Sequence, residues 1–142
     1  MLQRNMENKL KYLEFIQNII NRMSSNSFAL KGWSVTLIAG IFALAAKDAN
    51  QVYFLIAYVP IVTFWGLDSY YLKEERIFRY LYDQARLKDV NDVDFSMNIR
   101  NVINSGDKEK VSWINCIFSV SEICFYLPLT IISTIIVIVA NL

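Results

Sequence analysis

The chain has 142 residues, 55% of them hydrophobic and only 19% charged, with a formal net charge of +1 and no histidine. That balance offers no basic field for nucleic acid. The missing histidine removes the commonest general base, the commonest zinc ligand and every Ser-His or Cys-His nucleophile pair, so no enzyme is expected.

Residues 2–23 carry Leu2, Met6, Leu10, Leu13, Ile16, Ile19, Ile20 and Met23 at spacings of three and four, with polar residues between them. This is the pattern of an amphipathic helix. The mixed signs on its polar face favour packing on partner helices over lying on a lipid surface. The stretch lacks the apolar core and cleavage site of a signal peptide, and no lipidation motif is found. "SSNS" at 24–27 predicts a break or bend, because serine and asparagine are good helix caps.

Between Lys31 and Lys47 lie fifteen residues without a charge. Extended back through Phe28, the run reaches about twenty residues, enough to cross a hydrocarbon core of about 30 Å. Lys31 can snorkel to the headgroups from the edge of this first span, beside Trp33. "KDANQ" at 47–51 predicts a tight turn. Ala49–Leu67 is a second uncharged run of nineteen residues, with Pro60 near its middle and Trp65, Tyr70 and Tyr71 at its exit. Measured from the turn, Lys31 and Asp68 lie at similar depth on opposite arms, so an interfacial pair between them competes with a lysine and an aspartate that never meet.

With no Gly or Pro between Gly66 and Gly106, the second arm is expected to continue beyond the membrane as one long amphipathic rod to about residue 88. Residues 91–104 predict a short helix capped by Asp92 or Asp94, with Phe95, Ile99, Val102 and Ile103 inward, and "SGDK" at 105–108 a turn. In residues 111–142 Glu122 is the sole Asp, Glu, Lys or Arg. Ile123–Leu142 suffices for a third span, with 111–122 interfacial or cytosolic and Pro128 a candidate kink.

Four Lys or Arg precede the first span and eight lie in 72–110, against one in the 47–51 turn. The positive-inside rule then predicts a cytoplasmic N-terminus. The expected organisation is an all-α integral membrane protein: an amphipathic helix (1–24), a two-span hairpin (28–71), a cytosolic helical segment (72–110) and an interfacial plus transmembrane helix (111–142).

Gly32, Thr36 and Gly40 recur at four, with Ala39, Ala43 and Ala46 nearby, a small-residue face that lets helices approach closely. It serves either self-association or packing within the subunit. An intramembrane Glu122 would mark an ion or proton path or an inter-subunit contact, whereas an interfacial one would simply face the cytosol. Glu74–Glu75 and "DVNDVD" (89–94) read as surface acids and not a metal cluster, since each Glu has Lys or Arg within a turn. Phe78, Tyr80, Tyr82 and Phe95 read as packing residues, because no phosphate-binding glycine loop accompanies them. Cys116 and Cys124, eight apart, exclude a CxxC site and read as small apolar helix residues, a subunit cross-link being the alternative. No cofactor is expected.

The stretches "INRMSSNSFALKGWSVTLIAGIFALAAKD" and "FWGLDSYYLKEERIFRYLYDQARL", within residues 5–90, resemble SLATT-type small membrane effectors of bacterial conflict systems and the oligomeric membrane proteins of the RipA family. The resemblance rests on an amphipathic helix, a tight two-span hairpin and a cytosolic helix; the C-terminal span departs from it. It implies a homo-oligomer of the bacterial inner membrane that perforates or depolarises the bilayer when a soluble sensing partner triggers it. Lys31, Asp68 and Glu122 are the expected pore or gate residues, and Gly32, Thr36 and Gly40 the expected packing face. The alternative is an adaptor that holds a soluble partner through its cytosolic helices.

Overall fold

The computed structural model describes residues 2–48, 55–99 and 111–140. Four helices account for most of them: α1 (Leu2–Asp48), α2 (Tyr58–Leu87), a short α3 (Trp113–Ile117) and α4 (Val120–Ala140). There is no strand among the described residues. Of the turn predicted at 47–51, Lys47 and Asp48 are still helical, while residues 49–51, the start of the second apolar run, residues 100–104 and the turn at 105–108 lie outside the described residues.

α1 is one unbroken helix of 47 residues, about 70 Å long at 1.5 Å per residue. The break expected at Ser24–Ser27 is absent. The reason is the seam that α1 buries. Tyr12, Ile16, Ile20, Ser34, Ile38 and Ala45 are buried, and Met23, Ser27 and Lys31 continue the same three-and-four spacing between them. A seam that runs through the serines holds the helix across them, and each serine or asparagine costs a helix interior less than about 0.7 kcal/mol.

α2 lies antiparallel to α1. Tyr12, Ile16 and Ile20 share one apolar cluster with Ile77, Leu81 and Ala85, whereas Ile38 and Ile61 share a second cluster with Tyr126 of α4. α2 runs straight through from Tyr58 to Leu87. Pro60 stands in its first turn and not in mid-helix; residues 55 and 56 are helical too, and Ala57 keeps right-handed torsions of φ −60° and ψ −23°. The proline therefore loosens the hydrogen bonding just ahead of it without turning the chain away. At the other end, Lys9 Nζ donates to the carbonyls of Arg86 (3.1 Å) and Lys88 (2.6 Å), which satisfies orphan acceptors at the end of α2.

Residues 91–99 are not helical, contrary to the short helix expected there. Local side chains compete for the backbone: Asp94 Oδ1 accepts from the Ser96 amide and Ser96 Oγ from the Asn98 amide. That competition is why Asp, Asn and Ser disfavour helix interiors. Asp94 thus closes a turn in place of a helix cap. Phe95 is not inward but 43% exposed, with a left-handed φ of 51° and its ring edge-on to Tyr12. Ile99 does pack on the core, and so do Phe78, Tyr80 and Tyr82. Glu75 pairs with Arg79 at 2.7 Å, one turn on, but its own side chain is only 12% exposed and so is more enclosed than the surface acid expected.

The segment is tied down by Tyr12, whose hydroxyl donates to the Ser96 carbonyl. Burial, and secondarily Asp94, push the Tyr12 phenol above its ordinary value. The neutral phenol is the folded form, so its contribution is fully present below about pH 10 and is lost as pH rises through the raised value. Tyr12→Phe is expected to cost about 1 kcal/mol and to speed amide exchange at 92–98, with helical amides of α2 unaffected. The fully buried Ile16 is a stronger support: Ile16→Ala should cost about 2–5 kcal/mol in chemical unfolding followed by circular dichroism.

Two helices are long and apolar enough to cross a membrane, within Leu2–Ala46 and Val120–Val139, with mean hydropathies of 1.7 and 2.2 over their most apolar windows. Only 17% of each window is buried, whereas the core helix of a water-soluble domain would be mostly enclosed. Phe28, Trp33, Val35, Leu37 and Leu44 of α1 and Ile131, Ile132, Ile135, Ile138 and Val139 of α4 face outward. So do Val59, Val62 and Leu67 of α2.

Candidate functional site: a buried charge cluster

Between the two apolar clusters lies a layer of polar side chains. Lys31 stands on α1, Asp68 on α2 and Glu122 in the first turn of α4, and the structure brings all three together. Lys31 Nζ forms a short ion pair with Asp68 Oδ2 and a second one with Glu122 Oε1 at 3.2 Å. It also donates to Ser27 Oγ, one turn back, at 3.2 Å. The lysine therefore points into the bundle and does not snorkel outward; its side chain is 18% exposed, against 0% for Asp68 and 1% for Glu122. Glu122 does not face solvent within the single chain.

Each element positions its charge for a local reason. Lys31 lies on the α1 seam between Ser27 and Ser34, two small side chains that leave room for an ammonium group. Asp68 lies one turn beyond Trp65, and Ser69 Oγ donates to the Trp65 carbonyl at 2.7 Å. Glu122 and Tyr126 are four apart and share the inward edge of α4 with Ser133. The Tyr126 hydroxyl donates to Asp68 Oδ2 at 3.1 Å, and its ring stacks on Trp65 at 5.7 Å between centroids. Phe125 meets Tyr126 edge-on and lies under the Lys31 ammonium, 5.8 Å from the ring centroid. The sequence does not single out Tyr126 as a site residue; its spacing of four from Glu122 is the one signal that could have found it. Trp65 is expected in an interfacial belt, whereas its indole donates inward to the Ile117 carbonyl at 3.1 Å. Trp113 returns the bond to the Gly66 carbonyl at 3.2 Å, so α3 is fastened to α2 beside the cluster.

The charges do not balance. Two carboxylates face one ammonium, and Asp68 Oδ1 and Glu122 Oε2 are buried with no hydrogen-bond partner among the described residues. No group of side chains suited to hold a metal ion occurs among the described residues.

The expected packing face lies elsewhere. Gly32, Thr36 and Gly40 are on the outer side of α1, and a Cβ added at Gly32 or Gly40 would meet nothing within 4 Å. The stripe is therefore not the wall against which α2 or α4 packs. With Ala29 and Trp33, Gly32 and Thr36 line a shallow hollow on the outer surface of α1. Cys116 is buried and Cys124 is exposed; both are free thiols.

Comparison with family models, curated proteins and solved structures finds no match to this chain.

Proposed function

We propose that this chain is a three-span, homo-oligomeric protein of the bacterial inner membrane that perturbs the barrier of the bilayer, as a pore-forming or membrane-disrupting effector in defence. The observation that carries the reading is the convergence of Lys31, Asp68 and Glu122 on one buried point joining α1, α2 and α4. Charges placed within a membrane bundle are costly, face its interior and mark ion paths or moving parts. Here they act as a gate: the Lys31–Glu122 contact latches α4 to the hairpin, and releasing it frees a largely apolar helix to rearrange. The outward small-residue stripe on α1 supplies the self-association face, and the resemblance of residues 5–90 to SLATT-type effectors supports the defence role.

A second reading is a membrane adaptor. It is favoured by Leu2, Met6 and Leu10, which recur at four and are 71%, 47% and 59% exposed at the N-terminal end of α1, outside the apolar spans. A soluble partner could dock on that stripe.

The two readings are separated by a voltage-sensitive dye in cells inducibly expressing the wild-type chain or Glu122→Gln. The effector reading expects depolarisation that the variant alters. A steady potential in both, with normal insertion and a soluble protein co-purifying through the N-terminal stripe, would replace it with the adaptor.

A further inference from the structure

We infer that the charge cluster is a binding site for one exchangeable proton, carried by Glu122 and shared toward Asp68. The inference rests on the membrane-embedded reading above and not on conduction.

With all three groups ionised the cluster carries one net negative charge on side chains 18%, 0% and 1% exposed, beside the Tyr126 ring that stacks on Trp65 and the Phe125 ring under Lys31. An unbalanced charge in such surroundings is disfavoured, and the acid takes up a proton instead. Two carboxylates on the same ammonium form one coupled unit, so the proton belongs to the pair. The hydrogen bonds decide where it rests. Asp68 Oδ2 accepts from both Lys31 and Tyr126, whereas Glu122 Oε1 accepts from Lys31 alone, at 3.2 Å. Glu122 is the less stabilised anion. Each acid keeps one buried oxygen without a partner among the described residues, Glu122 Oε2 and Asp68 Oδ1. A proton on Glu122 Oε2 turns one of them into a donor, and Asp68 Oδ1 is the acceptor left open.

The neighbouring charges do not supply the balance. On α2, Lys73 Nζ lies 3.8 Å from Glu74, and Arg76 Nη1 is directed to Cys116 Sγ of α3 at 3.6 Å. On α1 the flanking groups are the neutral Ser27 and Ser34. On the α4 side the flanking groups are Tyr126 and Ser119, and the Ser119 hydroxyl, three residues before Glu122, is itself buried without a partner among the described residues. A metal cation is a poorer occupant than a proton, because Lys31 Nζ already stands between the carboxylates and would repel it. Loading takes one proton from water onto Glu122 and makes the cluster neutral; unloading returns that proton to water and restores the negative charge.

The test is infrared difference spectroscopy of the full chain in lipid nanodiscs, titrated with acid and base. The expected result is the carbonyl band of a protonated carboxylic acid at neutral pH, lost on alkalinisation and absent from Glu122→Gln. In Lys31→Met the acids lose their cation, so loss of the band moves to higher pH by about one unit or more. Should Glu122→Gln not fold, Glu122→Asp keeps the acid and must shift the band. The inference is overturned if the wild type shows no such band at neutral pH. It is equally overturned if the band is unchanged in these Glu122 variants, or if sodium in place of choline at constant ionic strength abolishes it, which would make the site a metal-cation site. A missing band with intact depolarisation removes the proton site and leaves the effector reading; a band without depolarisation does the reverse.

Discussion

Lys31→Met is expected to lower stability by about 3–5 kcal/mol at neutral pH, the largest loss expected from any side chain of the charge cluster. Among the described residues Lys31 is the sole cation on Asp68 and Glu122, and the methionine would leave Asp68, at 0% exposure, as a buried anion held by the Tyr126 hydroxyl alone. The loss comes mostly from stranding that anion and only partly from the attraction removed. It should therefore be reversed in two ways. Acidification neutralises the stranded carboxylate, so the deficit against wild type shrinks as pH falls. Adding Asp68→Asn removes the anion, so Lys31→Met/Asp68→Asn should be more stable than the sum of the single changes implies, by about 1–3 kcal/mol. Denaturant unfolding in micelles, followed by tryptophan fluorescence, reads all four corners of the cycle. Simple additivity would mean that the Lys31–Asp68 pair contributes no coupling.

This layer is only partly legible in the sequence. Lys31 and Asp68 can be matched by counting outward from a turn, because antiparallel arms with a short connection fix which residues share a depth. Glu122 cannot be added that way, since nothing in an apolar run of residues 111–142 says where along the hairpin its helix docks. The joint at Phe118–Ser119, which starts α4 just before Glu122, sets that register, and it depends on Trp113 and Trp65 exchanging bonds with the backbones of Gly66 and Ile117. The helical rod after Asp68 is plain because apolar residues recur at helical spacing without Gly or Pro. Residues 91–99 show how the same spacing misleads. Their apolar pattern suggests a helix, but Asp94 and Ser96 bind nearby amides and Tyr12 holds the Ser96 carbonyl from another helix. Ser24–Ser27 mislead in the opposite sense, since these cap-forming residues stay helical because the seam of α1 runs through them. In both places a tertiary contact outweighs or redirects a local preference of a few tenths to about 1 kcal/mol.

Gly40→Leu is expected to leave the subunit folded and to dissociate the proposed homo-oligomer. The two halves of that expectation have separate physical grounds. A Cβ at Gly40 or Gly32 meets no atom within 4 Å, so a larger side chain has free space in the single chain and even gains helix propensity. Between two chains the same side chain acts as a spacer. Small residues at every fourth position let helix backbones approach closely, and in lipid that contact is the main source of association, since no hydrophobic effect drives apolar helices together there. Thr36 lies at the centre of the stripe, but its hydroxyl is committed to the Gly32 carbonyl at 2.9 Å, so it keeps the face small without demanding a partner. Separating the helices should weaken association at least tenfold, about 1.4 kcal/mol per contact. Light scattering of the purified protein in detergent, with circular dichroism as a check on folding, gives the readout: an intact helical spectrum with a smaller particle. Gly40→Ala, which keeps the face small, should retain the oligomer. An unchanged particle size for both Gly40→Leu and Gly32→Leu would place the association on another face. The outward edge of α4, with Ile131, Ile135 and Ile138 exposed, would then be the next surface to alter.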